Sequence, residues 1–170
     1  FESEPWVLID RSLYGYNFKV SPAWRLLHEE DIQSDGCRYK LTILGMPETY
    51  DDNLGQWIEN SVQWCVFQRE NPYETIDEVR ECEEGRLEKM GSIITKRDRV
   101  RDGNGASYVY ESEYRGKPYI GKTYYYVSHG RGYAIRFNAT QVTYRKNLPR
   151  FEEFVAHFKI SDNRAMNPDM

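Results

Sequence analysis

Ser128 and His129 are neighbours in the chain and could act as a nucleophile and its base. Adjacent residues of a strand point to opposite faces of the sheet, so these two side chains do not readily share a proton. The chain also lacks the G-x-S-x-G sequence of a nucleophile elbow. We therefore interpret the pair as part of a polar hairpin turn and predict no covalent nucleophile and no catalytic residue.

The three histidines, His28, His129 and His157, could bind a metal ion, but none has a second His or Cys two to four residues away. Acidic residues follow His28, and a solvated acidic segment is a simpler interpretation of them than a surface ion site. The segments 51–53 and 102–105 are similar to calcium loops, but neither continues to the distant Glu of an EF-hand. We predict no metal site and no cofactor.

The cysteines Cys37, Cys65 and Cys82 form no C-x-x-C pair, which argues against a zinc ribbon and a thioredoxin-type motif. One disulfide with one free thiol is compatible with the sequence. Three thiols that behave as small buried hydrophobic side chains are also compatible, and this second interpretation is favoured because free Cys is among the most buried residue types.

Aromatic and cationic side chains interleave between residues 117 and 136. Such a mixture can bind single-stranded nucleic acid, and it is also ordinary for an antiparallel sheet with one wet face. The formal net charge of −4 opposes phosphate binding, so a protein partner fits better, since Tyr and Arg are enriched at interaction hot spots. We predict that a protein partner, and not nucleic acid, is bound by Tyr124, Tyr126, Arg131 and Arg136.

The chain has 170 residues, of which 39% are hydrophobic and 29% charged, as expected for one soluble globular domain. We predict a single domain over residues 5–160 and a disordered polar tail over residues 161–170. No apolar run approaches the length of a membrane-spanning helix. Because the chain begins with Phe1 and not with Met, the absence of a signal peptide is uninformative about export.

Turn signals divide residues 92–144 into a predicted meander of four antiparallel strands. The clearest strands of this meander cover residues 107–114, 119–128 and 133–142. In the last of them Ile135 and Phe137 mark the core face, which places Arg136 on the opposite face.

Two helices are predicted around this meander. Thr75 and Glu78 form a capping box that starts the first helix, and Gly91 ends it. The second helix covers residues 148–158 after Asn147 as its N-cap, and its apolar stripe must pack on the sheet. That stripe contains Phe151, Phe154 and Phe158.

Three stretches resemble the PsbP-like superfamily, which also includes the eukaryotic Ran-release factors and bacterial lipoproteins of unknown role. They are residues 14–24, the strand ending at Gln68 with the capped turn 71–78, and the Tyr-rich hairpin running through residues 133–140 into the closing helix. The resemblance implies an α+β fold, an α/β/α sandwich with a central twisted and mainly antiparallel sheet. The segment 46–58 has no clear counterpart in the family.

The resemblance also implies a non-catalytic accessory or protein-interaction domain, exported and lipid-anchored in the bacterial members. No binding residue of the family maps onto this chain. Two alternative functions stay open: an enzyme whose site is assembled from dispersed residues, and a single-stranded nucleic-acid binder on the Tyr-rich sheet. A deep pocket with converging polar groups would favour the enzyme.

Overall fold

Strands dominate the fold. The structure, a computed structural model, describes residues 6–34, 37–102 and 105–160. The strands are β1 (Val7–Arg11), β2 (Tyr16–Val20), β3 (Arg25–Ser34), β4 (Cys37–Gly45), β5 (Thr49–Asp51), β6 (Gln56–Ile58), β7 (Ser61–Arg69), β8 (Ser92–Asp102), β9 (Gly105–Tyr114), β10 (Lys117–Ser128), β11 (Arg131–Ala139) and β12 (Lys159–Ile160). The helices are α1 (Ile76–Lys89) and α2 (Gln141–Ala156), and Ser12–Tyr14 forms a 3-10 turn. The predicted tail 161–170 and the predicted turn residues 103–104 lie outside the described residues.

Seven strands form a central antiparallel sheet in the order β3-β4-β7-β11-β10-β9-β8. Its second half is the predicted meander, in which β8, β9, β10 and β11 pair in sequence order. Strands β1, β2 and β12 form a small second sheet, and β5 and β6 form a separate hairpin.

Helices cover both faces of the central sheet. On one face, which we call the α2 face, Ile135 and Phe137 pack in one apolar cluster with Phe151 and Phe154 of α2. On the opposite α1 face, Ala134 belongs to a second cluster, whose other members include a side chain of α1. The arrangement confirms the α/β/α sandwich with a mainly antiparallel central sheet.

The first helix begins and ends as the sequence predicts. Thr75 accepts a hydrogen bond from the backbone N–H of Glu78, and the Glu78 side chain accepts from the backbone N–H of Thr75, which completes the capping box. Gly91 follows the helix with a φ of +100°, a left-handed conformation that glycine adopts without a steric penalty.

The second helix begins earlier than the sequence predicts. Its N-cap is Thr140, whose hydroxyl accepts from the backbone N–H of Thr143, so β11 ends at Ala139 and the prediction of a helix starting after Asn147 is wrong. Asn147 lies in the middle of the helix and is fully buried. The expected apolar stripe packs on the sheet, because Phe151, Phe154 and Phe158 are all buried.

No described helix combines the length and the apolar character needed to span a membrane.

Candidate functional site

The residues predicted to bind a partner do not form one surface. Tyr124 has no exposed area, and its hydroxyl donates to Glu152 of α2. Arg136 lies on the face opposite Ile135 and Phe137, as predicted, but α1 covers that face and Arg136 is only 8% exposed. The expected exposure of these two side chains is therefore wrong, because a helix covers each face of the sheet where they lie. Tyr126 and Arg131 are half-buried, and their contact with a partner stays a prediction.

A charged cluster lies between α1 and the sheet near Arg136. Glu83 is 1% exposed and accepts two hydrogen bonds from Arg86, at 2.8 Å from Nε and 2.9 Å from Nη2. Arg86 Nη2 also lies 3.3 Å from Oε1 of Gln63. Burial, opposed by the attraction of Glu83, lowers the pKa of Arg136 from its ordinary value. Glu83 and Arg86 compensate each other's loss of hydration within α1, and the hydrogen bond from Arg86 to Gln63 joins this helix to β7.

A second carboxylate of α1 reaches the edge of the sheet. Glu84 accepts from Nε and Nη2 of Arg97 on β8, at 2.7 and 2.8 Å, and from the Tyr110 hydroxyl at 2.7 Å. The Tyr110 hydroxyl is in turn 2.6 Å from that of Tyr125. Burial raises the pKa of Tyr110 far above its ordinary value, so this network carries no readily released proton at neutral pH.

The side chains considered for chemistry are not arranged for it. His129 occupies the turn between β10 and β11 with a φ of +52°, and His28 pairs with Glu30 at 2.7 Å. Burial raises the pKa of the Cys65 thiol well above its ordinary value, which disfavours the reactive thiolate. Cys65 and Cys82 are not in a disulfide, and the side chain of Cys37 lies outside the described residues. Among the described residues, no group of three or more His, Cys, Asp or Glu side chains is placed to hold a metal ion.

The β5–β6 hairpin carries a cluster of exposed apolar side chains. Tyr50, Leu54 and Trp57 are 39%, 54% and 63% exposed, and we call these three residues the hairpin patch. The rings of Tyr50 and Trp57 meet edge to face with centroids 5.5 Å apart. Cross-strand pairing places Tyr50 opposite Trp57, which fixes the orientation of both rings.

Polar contacts from α2 hold this hairpin in place. Lys146 Nζ donates to the backbone oxygen of Tyr50 at 2.8 Å, and Asn147 Nδ2 donates to the Thr49 hydroxyl at 3.0 Å. Asp51 accepts from the hydroxyl of Thr140, the N-cap of α2, at 2.6 Å. That hydrogen bond, with those from two backbone N–H groups of the hairpin loop, lowers the pKa of Asp51 from its ordinary value. Asp51 is therefore a fixed anion that joins the hairpin to the helix.

A groove of about 560 Å³ runs beside the hairpin, between β6, the ends of the central strands and the first turn of α2. Its walls combine polar side chains with apolar ones, and the apolar side chains include Leu54, Ile58, Pro118, Tyr119 and Val142. Leu54 belongs both to the groove and to the hairpin patch, so the two features adjoin at this residue. We call this groove the hairpin groove.

Sequence reasoning noticed the segment that contains this surface but did not predict a site there. Residues 46–58 stood out because they lacked a counterpart in the resembling family and because residues 51–53 are similar to a calcium loop. The usable signal was an aromatic pair, Tyr50 and Trp57, placed among acidic residues without the length of a core strand. Apolar side chains on a strand of three residues have little core to enter, so they remain at the surface.

The comparisons with known proteins establish the fold. No family model matches the chain, and a search of curated proteins found no significant match. Among solved structures, the chain is similar to cyanobacterial PsbP (CyanoP) from Synechocystis sp. PCC 6803, with a TM-score of 0.50, 10% identity and 94% of each chain covered. LpqN, described as involved in cell envelope biogenesis of Mycobacterium tuberculosis, aligns with a TM-score of 0.45 and 15% identity over 94% of this chain and 87% of that one. The protein has a PsbP-like fold.

Proposed function

We propose that the protein is a non-catalytic accessory domain, formed by residues 5–160, that binds another protein through the hairpin patch and the hairpin groove. The observation that carries this proposal is the exposure of Tyr50, Leu54 and Trp57 on one hairpin that α2 holds in place. Trp and Tyr are the residue types that contribute most often to binding hot spots.

Exposure of the hairpin patch to water is energetically unfavourable in the free protein. An exposed Trp and its apolar neighbours order water that a partner would release, so their exposure is favoured where a partner covers them. The hydrogen bonds to Asp51, Thr49 and the backbone of Tyr50 fix the hairpin before binding. A fixed surface loses less conformational entropy on association than a mobile one, and this increases the affinity.

The shape of the surface indicates what the partner presents. The groove has the volume of a site that accepts a few side chains, and Leu54 of the patch forms part of its wall. A partner segment with one apolar side chain in the groove and another against Trp57 would cover both. This partner is a protein segment with at least two apolar side chains on one side.

The Tyr-rich sheet supports the alternative functions less well. Stacking of nucleic-acid bases requires exposed aromatic faces. Five of the tyrosines on the central sheet are buried against a helix or in the core: Tyr108, Tyr110, Tyr124, Tyr125 and Tyr133. In the hairpin groove, Asp51 is committed to holding the start of α2, which removes a titratable group from any acid–base role there.

Selection of peptides on the immobilised protein tests the proposal. A displayed library of random peptides should yield binders with paired apolar residues on the wild-type protein. A Leu54→Ser, Trp57→Ser variant should bind these peptides at least about tenfold more weakly, since each lost hot-spot contact contributes more than about 1 kcal/mol. Both substituted side chains are exposed, so the variant should keep the wild-type melting temperature.

The matched control is Leu13→Ser, which removes another exposed leucine from the 3-10 turn at a site outside the hairpin. This control should bind the selected peptides like the wild type. Equal binding by the hairpin variant and the wild type, or the absence of any enriched peptide on the wild type, would contradict the proposal.

We also propose an extracytoplasmic location, which is what the resemblance to exported bacterial lipoproteins implies. Fractionation of cells of the native source, followed by immunodetection, should place the protein outside the cytoplasm. Recovery with the cytosolic markers would contradict this part of the proposal.

A further inference from the structure

The central sheet ends in two long outer strands. Strand β3, with ten residues, and strand β8, with eleven, each pair with one neighbouring strand among the described residues. Each therefore presents a row of backbone N–H and C=O groups on its outer side. Such edges are templates for pairing with another strand, and their side chains determine which strand is accepted.

The two edges carry opposite charges. Strand β3 contains the acidic run Glu29, Glu30 and Asp31, whereas β8 is rich in Lys and Arg. The basic residues of β8 are Lys96, Arg97, Arg99 and Arg101. Two β3 edges, or two β8 edges, would place like charges together and repel each other. A β3 edge and a β8 edge would place acidic residues beside basic ones.

The directions of the two strands allow this pairing. Every neighbouring pair in the seven-stranded sheet is antiparallel, so the first and seventh strands, β3 and β8, run in the same direction. Each strand also begins with exposed apolar side chains, Leu26 and Leu27 on β3 and Ile93 on β8. A parallel arrangement brings these apolar starts together and then aligns the acidic run with the basic one.

We propose that copies of this chain associate head to tail, with β3 of one copy lying parallel to β8 of the next. The contact is heterologous, so an assembly of any length keeps a free β3 edge at one end and a free β8 edge at the other, and the association continues beyond a dimer. The interface is narrow and charged, which makes the association weak and sensitive to salt. It uses neither the hairpin patch nor the hairpin groove, and it does not depend on the proposed function.

Two charge-reversal variants separate this arrangement from other modes of association. Glu30→Lys with Asp31→Lys gives a protein whose two edges are both basic. Arg99→Glu with Arg101→Glu changes β8 instead and gives a protein whose two edges are both acidic. Arg97 is left intact in both variants because its two hydrogen bonds to Glu84 hold β8 to α1.

Sedimentation velocity measures the association at protein concentrations up to about 300 μM, a range suited to a weak interface. The wild type should form species larger than a dimer at about 20 mM salt and dissociate at about 500 mM. Each variant alone should associate at least about tenfold more weakly. An equimolar mixture of the two variants should regain association, because the basic β3 of one meets the acidic β8 of the other.

The control variant is Glu81→Lys with Glu88→Lys, which makes the same change in net charge as the β3 variant but on the exposed side of α1. It should associate like the wild type, and thermal melts should show that all variants fold.

If a double reversal fails to fold, the single changes Asp31→Lys and Arg101→Glu replace it in the same mixing experiment. A wild type that stays monomeric at low salt would overturn the proposal. So would a mixture of folded variants without association, or loss of association in only one of the two variants.

Discussion

Asn147 Nδ2 donates a hydrogen bond to Oδ1 of Asn60 at 2.8 Å, between two side chains that are both buried. Asn60 in turn donates from Nδ2 to the hydroxyl of Thr143, at 3.2 Å. The middle and the first turn of α2 are thereby joined to the residue that precedes β7. Together with the bond from Asn147 to Thr49, this network fixes the base of the β5–β6 hairpin against the helix.

Replacing Asn147 should therefore destabilise the protein. In Asn147→Ala, the buried oxygen of Asn60 loses this donor, and we expect the free energy of unfolding to fall by about 2–3 kcal/mol. Urea denaturation measures the change. Arg145→Ala, at an exposed position of the same helix, is the control and should change stability by less than about 0.5 kcal/mol. Equal stability of the two variants would show that the asparagine pair does not hold the hairpin.

Asn147 was predicted to start the second helix but lies in its middle, and the reason separates the elements that could be predicted from the sequence from those that could not. The capping box of α1, the four-stranded meander and the phenylalanine stripe were predicted because each depends on residues close together in the chain. The start of α2 was missed because the alternation in β11 continues through Thr140 and Val142, and a threonine pair can cap a helix without a glutamate. Pro149 then suggested a first turn, although it lies inside the helix.

The burial of the tyrosines on the central sheet was not predicted, for a different reason. Tyr124 and Tyr125 are adjacent, point to opposite faces and are 0% and 1% exposed. Alternation along a strand separates its two faces but does not tell which faces are covered. In this protein α1 and α2 cover both, through contacts between residues far apart in the sequence. The hairpin patch was missed for the complementary reason, since its side chains have core-forming types and yet lie at the surface.

Phe154 is a core position in this account, and its truncation should be costly. The ring has no exposed area and contacts Trp64 and Phe18, with centroids 5.5 and 5.7 Å away. Phe154→Ala should lower the free energy of unfolding by about 3–5 kcal/mol, because it removes apolar contacts and leaves a cavity. Leu13→Ala, at a highly exposed position, is the control. A loss below about 1 kcal/mol in urea denaturation of Phe154→Ala would contradict the packing described.

Arg136→Glu should destabilise the folded state and is unsuitable as a surface substitution. The introduced carboxylate would lie in the interior near Glu83, and the cluster would lose a buried cation. We expect a loss of about 3–5 kcal/mol or failure to fold. Arg136→Met keeps the apolar length of the side chain and should retain more stability than the glutamate variant. Circular dichroism melts compare the two, and a wild-type melting temperature for Arg136→Glu would place this residue at the surface.

The acid sensitivity of the protein should depend in part on Glu84. Burial acts to raise its pKa, but hydrogen bonds from Arg97 and Tyr110 outweigh burial, and the pKa lies below its ordinary value of 4.5. The unfolded chain therefore binds this proton more readily than the folded one. The stabilisation is complete above the ordinary pKa and is lost as the pH falls through the lowered pKa.

Denaturant titrations at several pH values test this expectation. Between about pH 6 and about pH 3, the wild type should lose stability more steeply than Glu84→Gln, which has no carboxylate to protonate at this position. Glu81→Gln, on the exposed side of the same helix, should follow the wild type. If the stability of the wild type and of Glu84→Gln fell equally with pH, the ion pair between Glu84 and Arg97 would not be a cause of the acid sensitivity.

The central claim is that the hairpin patch contacts a partner protein, and site-specific photo-crosslinking tests it most directly. A photoreactive phenylalanine analogue placed at Trp57, in protein expressed in its native source, should give a discrete crosslinked adduct. The same analogue at Leu13, another exposed apolar position, should give none. Adducts of equal yield at both positions, or no adduct at Trp57, would contradict the claim.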